Sequence, residues 1–150
     1  MNKRKIRRVV RTIAPEIKMT FNRGKTIYYD YVRDKINIDF DEMQDDGGFM
    51  RHLNTDHAVP LEFCQKYSLA AWSILHELGH YFCDDDEEES QVDELTRLMC
   101  ALIPRETATV EEQDLYFNLP HEWNATEWAI EFATEHETLM EYLEKQLILP

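Results

Sequence analysis

The feature that most constrains this chain is the segment His76-Glu77-Leu78-Gly79-His80, in which two histidines enclose a glutamate at H-E-x-x-H spacing. The residues before and after it, within 68–82, are almost uncharged and follow a helical pattern. Residues four apart on a helix point to the same side, so both imidazoles can bind one metal ion. The pattern therefore predicts a buried helix that carries part of a metal site.

Two histidines on the apolar side of a buried helix lose their hydration, so each of them needs a partner. Zn²⁺ can serve both imidazoles at once, and hydrogen bonds within the core are the alternative. A glutamate between two zinc-binding histidines is placed to hold and deprotonate a zinc-bound water. We therefore predict that His76 and His80 bind zinc and that Glu77 is the general base.

The first part of the chain is rich in β-forming residues. Two such runs, 17–21 and 26–32, flank the turn-forming segment Asn22–Lys25 and predict a hairpin. The run Ile36–Phe40 alternates between apolar and polar residues and predicts a third, half-buried strand. The stretch 47–60 is interpreted as a loop with at most one short turn of helix. These patterns predict a small N-terminal antiparallel sheet.

From Leu61 onward the pattern is helical. After the motif helix, a short element is predicted around Val110–Phe117, and one long helix is predicted from about His121 to about Leu147. Strands followed by helices indicate an α+β fold, and 150 residues suit one domain. We therefore expect a single α+β domain, residues 1–150, whose helical half carries the H-E-x-x-H helix.

The charge of the chain is strongly negative and unevenly distributed. A formal net charge of −14 opposes contact with a phosphate backbone, so direct binding to nucleic acid is not expected. An acidic block occupies Asp84–Glu89, and a basic head precedes Pro15 (Lys3, Arg4, Lys5, Arg7, Arg8 and Arg11). The head is interpreted either as a docking arm or as a solvated, partly frayed terminus.

Two further patterns bear on the compartment. No stretch approaches the roughly 18 apolar residues of a membrane span, so no membrane association is expected. The cysteines Cys64, Cys83 and Cys100 are odd in number and lack paired spacing. They fit reduced thiols better than a disulfide framework, which favours a cytoplasmic protein.

A catalytic zinc site needs a third protein ligand, and Glu122 is the favoured candidate. On a helix it shares one side with Ala125, Ala129 and Ala133, and these small residues would let the helix approach the motif helix closely. A carboxylate on such a face is costly to bury unless it meets a cation. Its place at the start of the helix also fits a simple interaction with the helix dipole.

Other residues remain open for the third ligand and for the group that stabilises an oxyanion. Glu127 is an alternative ligand on a face that otherwise resembles solvent-exposed helix, and three more acidic residues follow the motif directly (Asp86, Asp93 and Glu94). The candidates for oxyanion stabilisation are Tyr116, His121 and His136.

Together these residues resemble the ImmA/IrrE family of zinc metallopeptidases. That family pairs a His-Glu-Leu-Gly-His helix with a later helix that reads roughly E-x-E-A-N-x-F-A. The second element appears here as Glu122-Trp123-Asn124-Ala125-Thr126-Glu127-Trp128-Ala129. The resemblance implies a zincin-like domain and a gluzincin-like enzyme, with His76, His80 and Glu122 as zinc ligands and Glu77 as general base.

Members of that family are often encoded on phages and other mobile elements, where they are linked to cleavage of a repressor. The resemblance therefore implies a cytoplasmic peptidase that hydrolyses a peptide bond in a protein substrate, such as a helix-turn-helix repressor. The alternative hypothesis is a zinc-containing regulatory module that binds a partner protein without cleaving it. Its acidic surface and basic head would supply complementary contacts.

Overall fold

A computed structural model describes residues 2–24, 27–39, 48–83 and 109–148. Within these ranges the fold mixes α and β structure, with a small three-stranded sheet in the N-terminal part and a mostly helical remainder. This is the α+β class that the sequence predicts. The elements, in chain order, are α1 (Lys3–Ile13), β1 (Lys18–Thr20), β2 (Tyr28–Asp30), β3 (Lys35–Asn37), α2 (Gly48–Thr55), α3 (Leu61–Lys66), α4 (Leu69–Phe82), α5 (Val110–Phe117), α6 (Pro120–Glu135) and α7 (Glu137–Ile148).

The sheet is mixed, so the prediction of an antiparallel sheet is wrong in part. Its strand order is β1-β3-β2, and Ile36 of the central strand lies opposite both Met19 of the parallel neighbour and Tyr29 of the antiparallel one. The predicted hairpin between β1 and β2 is wrong, because the hairpin joins β2 to β3 through the turn 31–34. The strand that contains Ile36 is the most buried of the three, which suits the position with a neighbour on each edge.

The basic head forms helix α1, so its interpretation as a frayed terminus is wrong. The side chain of Asn2 caps the helix by accepting a hydrogen bond from the Lys5 N–H at 3.1 Å. The Arg7 guanidinium lies 5.2 Å from the centre of the Phe21 ring, a cation–π contact. The apolar face of α1 is buried and packs against α7 (Ile6, Val9 and Val10). A docking role for the opposite, cationic face stays a prediction.

Helix α4 crosses the core, as its uncharged sequence predicts. Ser68 caps its N-terminus by accepting a hydrogen bond from the Ala71 N–H. Its largest buried side chain is Trp72, whose indole N–H donates to the Cys64 carbonyl at 2.9 Å. The helix predicted between Ser68 and Phe82 is therefore confirmed, and it provides a rigid, buried base for the two motif histidines.

The single long helix predicted from about His121 to about Leu147 is wrong. The chain breaks at His136, where φ is −126° and ψ is 50°, and the two parts form α6 and α7. The break lets α7 pack on α1 and α4 while α6 lies along α4. Met140 and Leu143 of α7 are fully buried as a result. Burial of each such side chain contributes about 1.5–3 kcal/mol, which favours the break over a straight helix.

The stretch 47–60 contains helix α2, which is longer than the short turn predicted there, and α2 buries His52 and Leu53. The acidic block, together with Asp86, Asp93, Glu94 and Cys100, lies outside the described residues. Within the described part of the chain, neither Cys64 nor Cys83 forms a disulfide. None of the helices in that part is both long enough and apolar enough to cross a membrane.

Candidate metal centre

The centre forms where α4 and α6 come into backbone contact. A Cβ atom at Gly79 would lie 2.4 Å from the carbonyl oxygen of Ala125 and 2.8 Å from its Cα, so only glycine fits there. The alanines on the facing side of α6 are fully buried (Ala125, Ala129 and Ala133). The close approach that these small residues predict is thus confirmed, and it brings residues of α6 within reach of the motif histidines.

Three side chains converge at this contact. Oε2 of Glu122 lies 2.7 Å from Nε2 of His76 and 3.1 Å from Nε2 of His80, and the two Nε2 atoms are 3.2 Å apart. The side chains are only 9%, 7% and 1% exposed for His76, His80 and Glu122. Ligand atoms around a tetrahedral zinc lie about 3.3 Å apart, given the usual bond lengths. This buried group could therefore hold a metal ion.

Thr126 determines which nitrogen of His76 faces the centre. Its Oγ1 donates a hydrogen bond to the carbonyl oxygen of Glu122 at 3.0 Å and also lies 3.0 Å from Nδ1 of His76. A hydroxyl has one proton, so while it donates to the Glu122 carbonyl it can only accept from His76, and in that arrangement Nδ1 carries the imidazole proton. Nε2 of His76 then presents its lone pair to the carboxylate oxygen of Glu122. Such a pair of acceptors requires a cation or a proton between them.

The carboxylate of Glu122 is held in its ionised form. Burial on its own raises the pKa of Glu122, but with protons on the Nε2 atoms in place of a metal ion, the hydrogen bonds and positive charge of His76 and His80 outweigh it and hold that pKa well below the ordinary value. An ionised carboxylate beside two imidazoles is a donor set that transition metals accept, zinc among them.

Glu77 lies close enough to His76, His80 and Glu122 to interact with their charges, and it also contacts the sheet. Its Oε2 accepts a hydrogen bond from the backbone N–H of Tyr29 in β2 at 2.9 Å. Burial raises the pKa of Glu77, whereas the nearby His80 and His76 lower it, and the result lies above the ordinary value. A carboxylate with a raised pKa is a stronger base, which suits a group that has to take a proton from water.

Two of the three residues considered for oxyanion stabilisation lie at the centre. The hydroxyl of Tyr116 donates to Oε1 of Glu122 at 3.2 Å, and the ring of His121 stacks on that of His80 at 4.3 Å. Burial, with help from His80, lowers the pKa of His121 to about 4, so its imidazole is neutral at pH 7. His136 is exposed at the end of α6, where its ring contacts Phe132, and it is not part of the centre.

The structure does not bring Glu127 to the motif histidines. Its side chain is 53% exposed, and its Oε1 lies 2.5 Å from Nδ1 of His57. Among the described residues, the only group of at least three potential ligands within 4.8 Å of one another is His76, His80 and Glu122. The remaining candidates, Asp86, Asp93 and Glu94, lie outside the residues that the structure describes.

Sequence reasoning missed two residues that touch His76. Thr126 lies four residues after Glu122, so it is on the same side of α6, and this spacing was an available signal. Phe49 packs its ring edge-on against the His76 imidazole at 5.4 Å. It belongs to α2, in the stretch interpreted as loop, and no local pattern connects it to the motif.

Comparison with known proteins adds no relative. No protein-family model matches the chain, and no curated protein or solved structure matches it. The likeness to the ImmA/IrrE family therefore rests on the two quoted motifs, around His76 and Glu122, and what it implies is a matter for proposal and experiment.

Proposed function

We propose that this protein is a zinc metallopeptidase that hydrolyses a peptide bond in a protein substrate. One observation carries the proposal: a buried group of two imidazoles and one carboxylate lies near Glu77, whose carboxylate accepts a hydrogen bond from the Tyr29 N–H. Catalytic zinc sites have three protein ligands and one position for water or substrate, whereas structural sites usually have four protein ligands. The residues at this centre match the catalytic pattern.

The fit between the donor set and zinc supports the identity of the metal. When Nδ1–H of His76 donates a hydrogen bond to Thr126, the Nε2 lone pair of His76 faces the Glu122 carboxylate 2.7 Å away. His76, His80 and Glu122 would together hold a divalent cation, which would convert this repulsion into attraction. Zinc bound there would lower the pKa of its water toward ~7 and polarise the carbonyl of the scissile peptide.

Glu77 moves the protons in this mechanism. The hydrogen bond from Tyr29 to Oε2 orients the carboxylate, and Oε1 accepts the proton of the attacking water. The same carboxyl then donates this proton to the nitrogen of the leaving peptide. The raised pKa of Glu77, caused mainly by burial, increases its affinity for the proton in the first step.

Tyr116 and His121 are proposed to stabilise the negative oxygen that develops on the substrate carbonyl. The Tyr116 hydroxyl donates to Oε1 of Glu122, a proposed metal ligand, and its single proton would turn from Glu122 to the substrate oxygen as the oxyanion forms. The neutral His121 imidazole retains an N–H donor beside His80. Such donors stabilise an oxyanion more than they stabilise the uncharged carbonyl, which lowers the barrier.

The substrate and the compartment follow from the resemblance alone. By analogy with the ImmA/IrrE family, we propose a zincin-like, cytoplasmic, phage- or mobile-element-associated enzyme whose substrate is a helix-turn-helix repressor. Cys64 and Cys83, which form no disulfide within the described part of the chain, support a reducing compartment.

Replacing Glu77 by Gln tests the proposal, because the amide keeps the size of the side chain but cannot act as a base. The variant and the wild type are incubated with zinc and helix-turn-helix repressors, and fragments are detected by mass spectrometry. We expect the E77Q variant to retain zinc and to lose cleavage. The matched control is Glu131→Gln, an exposed glutamate on α6, which should cleave normally. Unchanged turnover by E77Q would refute the assignment of the base.

The second candidate function is a module that binds a regulatory protein without cleaving it. The observation that favours it is the cationic face of α1, on which Arg4, Lys5, Arg8 and Arg11 are exposed in a chain of net charge −14. Such a face attracts an acidic partner and increases the rate of association. Stable binding of a repressor by the zinc-loaded wild type, with no fragments, would favour this function over hydrolysis.

A further inference from the structure

A second group of titratable side chains lies outside the candidate metal centre. Four residues form one continuous chain of close contacts: Oδ2 of Asp56 is 2.7 Å from Nδ1 of His52, and Nε2 of His52 is 2.9 Å from Nε2 of His57. Nδ1 of His57 is in turn 2.5 Å from Oε1 of Glu127. Both imidazole side chains are 0% exposed. The chain connects α2 and the loop after it to α6.

The number of protons shared by these four side chains decides whether the contacts between them are stable. Three gaps at hydrogen-bond distance require three protons, one in each gap. Two neutral imidazoles supply two protons, and two ionised carboxylates supply none. If both Nδ1 atoms donate to their carboxylates, the Nε2 lone pairs of His52 and His57 face each other at 2.9 Å, and two unprotonated nitrogens at this distance repel.

We propose that Asp56, His52, His57 and Glu127 bind one proton more than they carry in their ordinary states at neutral pH. The added proton lies between the two Nε2 atoms and completes the third hydrogen bond. The proton completes a set of contacts that reaches α6, the helix that carries Glu122, through His57 and Glu127, and it gives the imidazole pair one positive charge between two carboxylates. The inference does not depend on the proposed peptidase activity.

The surroundings favour a proton over a second metal ion. The imidazole pair resembles His76 and His80 in geometry, with interplanar angles of 86° and 88°. However, the two carboxylates contact the Nδ1 atoms, and no third ligand joins the Nε2 pair among the residues that the structure describes. Aromatic rings cover both imidazoles: Trp123 stacks on His57 at 3.8 Å and Phe117 on His52 at 5.0 Å. Buried rings without solvent contact leave no place for the water ligands that a two-histidine metal would need.

Charged and polar groups on the neighbouring elements act on the two imidazoles. Burial and positive charge on His57 or His76 hold the pKa of His52 below its ordinary value, although the contact with Asp56 raises it. This lowering opposes the added proton, whereas the two carboxylates and the hydrogen bond shared by the two Nε2 atoms favour it. The facing groups are Asp56 from the loop after α2, the Asn118 amide at the C-cap of α5, His76 from α4 and Glu127 from α6, and the nearest cation on α2, Arg51, pairs with Asp114 of α5.

Glu127→Gln is the decisive variant. The amide can donate an N–H to Nδ1 of His57, so the two protons of two neutral imidazoles then fill the two remaining gaps. The E127Q variant therefore forms all three hydrogen bonds without the added proton. Asp56→Asn makes the same change at the other end of the chain and serves as a second, independent variant. Glu131→Gln, one turn further along α6 and exposed, is the matched control.

The measurement is the thermal unfolding temperature of each purified protein between about pH 5.5 and pH 9. Above about pH 5.5 the unfolded wild type and E127Q bind nearly equal numbers of protons, because the free glutamate is already ionised. The pH dependence of the difference in stability between the wild type and E127Q therefore reports the added proton in the folded wild type. We expect the stability of the wild type relative to E127Q to fall as the pH rises, the same trend relative to D56N, and no trend relative to E131Q.

Nuclear magnetic resonance of ¹⁵N-labelled histidines provides an independent readout. In the wild type at pH 6 we expect both Nδ1 atoms of His52 and His57 to be protonated and one further proton to be shared by their Nε2 atoms. In E127Q we expect the two imidazoles to carry only two protons in total. Flat stability differences for both variants would overturn the proposal, as would two neutral imidazoles in the wild type across this pH range. A second equivalent of bound zinc that His57→Gln removes would also overturn it, because it would show that a metal occupies the pair.

Discussion

Oγ1 of Thr126 lies 3.0 Å from Nδ1 of His76, and the Thr126 hydroxyl donates its hydrogen bond to the backbone carbonyl of Glu122. The contact therefore holds His76 in the one neutral form that turns the Nε2 lone pair toward Glu122. Metal-binding histidines are commonly oriented in this way by an acceptor on their second nitrogen.

Replacing Thr126 by Val should weaken zinc binding by about 10–100-fold, because the Nδ1 proton of His76 loses its acceptor. The dissociation constant is measured by competition with a chelator of known affinity. Thr134→Val is the control, since Thr134 lies on the same helix and makes the same type of bond, to the Ile130 carbonyl at 2.8 Å, but is exposed. Equal zinc affinity in the Thr126 and Thr134 variants would show that the hydroxyl does not orient the ligand.

Replacing Gly79 by Ala should destabilise the protein, although alanine is favoured over glycine by about 1 kcal/mol in an ordinary helix interior. The added Cβ would lie 2.4 Å from the Ala125 carbonyl oxygen, and backbone cannot move away as a flexible side chain can. We expect a loss of about 1–3 kcal/mol, measured by urea unfolding. A gain in stability would mean that α4 and α6 are further apart than described.

Glu122 and Glu127 provide a direct test of the third ligand. The E122A variant should lose zinc, because removal of a buried charged ligand leaves two imidazoles facing an empty position. The E127A variant should retain one equivalent, since the Glu127 side chain is half-exposed and contacts His57 instead. Zinc per chain is measured by elemental analysis after dialysis. Loss of zinc in E127A alone would transfer the ligand role to Glu127.

Replacing Tyr116 by Phe removes a hydroxyl that donates to Glu122 but that binds no metal in the proposed mechanism. Turnover at saturating zinc should fall about 10²-fold, as expected for loss of one oxyanion donor. Because the hydroxyl also bonds the proposed ligand Glu122, zinc affinity should weaken by about 10–100-fold as well. Tyr142→Phe, an exposed tyrosine on α7, is the matched control and should behave as wild type. Turnover of Y116F that equals that of the control would leave His121 as the remaining donor.

The parts of the fold that depend on local periodicity were predictable. The uncharged helical run around His76 predicts α4, and the alanine face of α6 predicts its close approach to the motif helix. The favoured ligand Glu122 followed from the same face, because side-chain direction along a helix is a local property.

The wrong predictions concern the strand order and the helix break at His136, which local sequence patterns do not determine. The β-rich runs indicate strands but not their order, since either neighbour of the Ile36 strand satisfies the same alternation. The break at His136 has no proline or glycine to mark it, and it is favoured by the burial of Met140 and Leu143 against other helices.

By itself, then, the sequence determined a buried helix with two imidazoles on one side and a second helix with Glu122 on its small-residue face. Only the tertiary structure decided what completes those groups: the Thr126 hydroxyl behind His76, the Tyr29 N–H on Glu77 and the link from His57 to Glu127. Helical and strand periodicity are set by neighbours a few residues away. Hydrogen bonds between residues up to 70 positions apart depend on how whole elements pack, which no short stretch of sequence encodes.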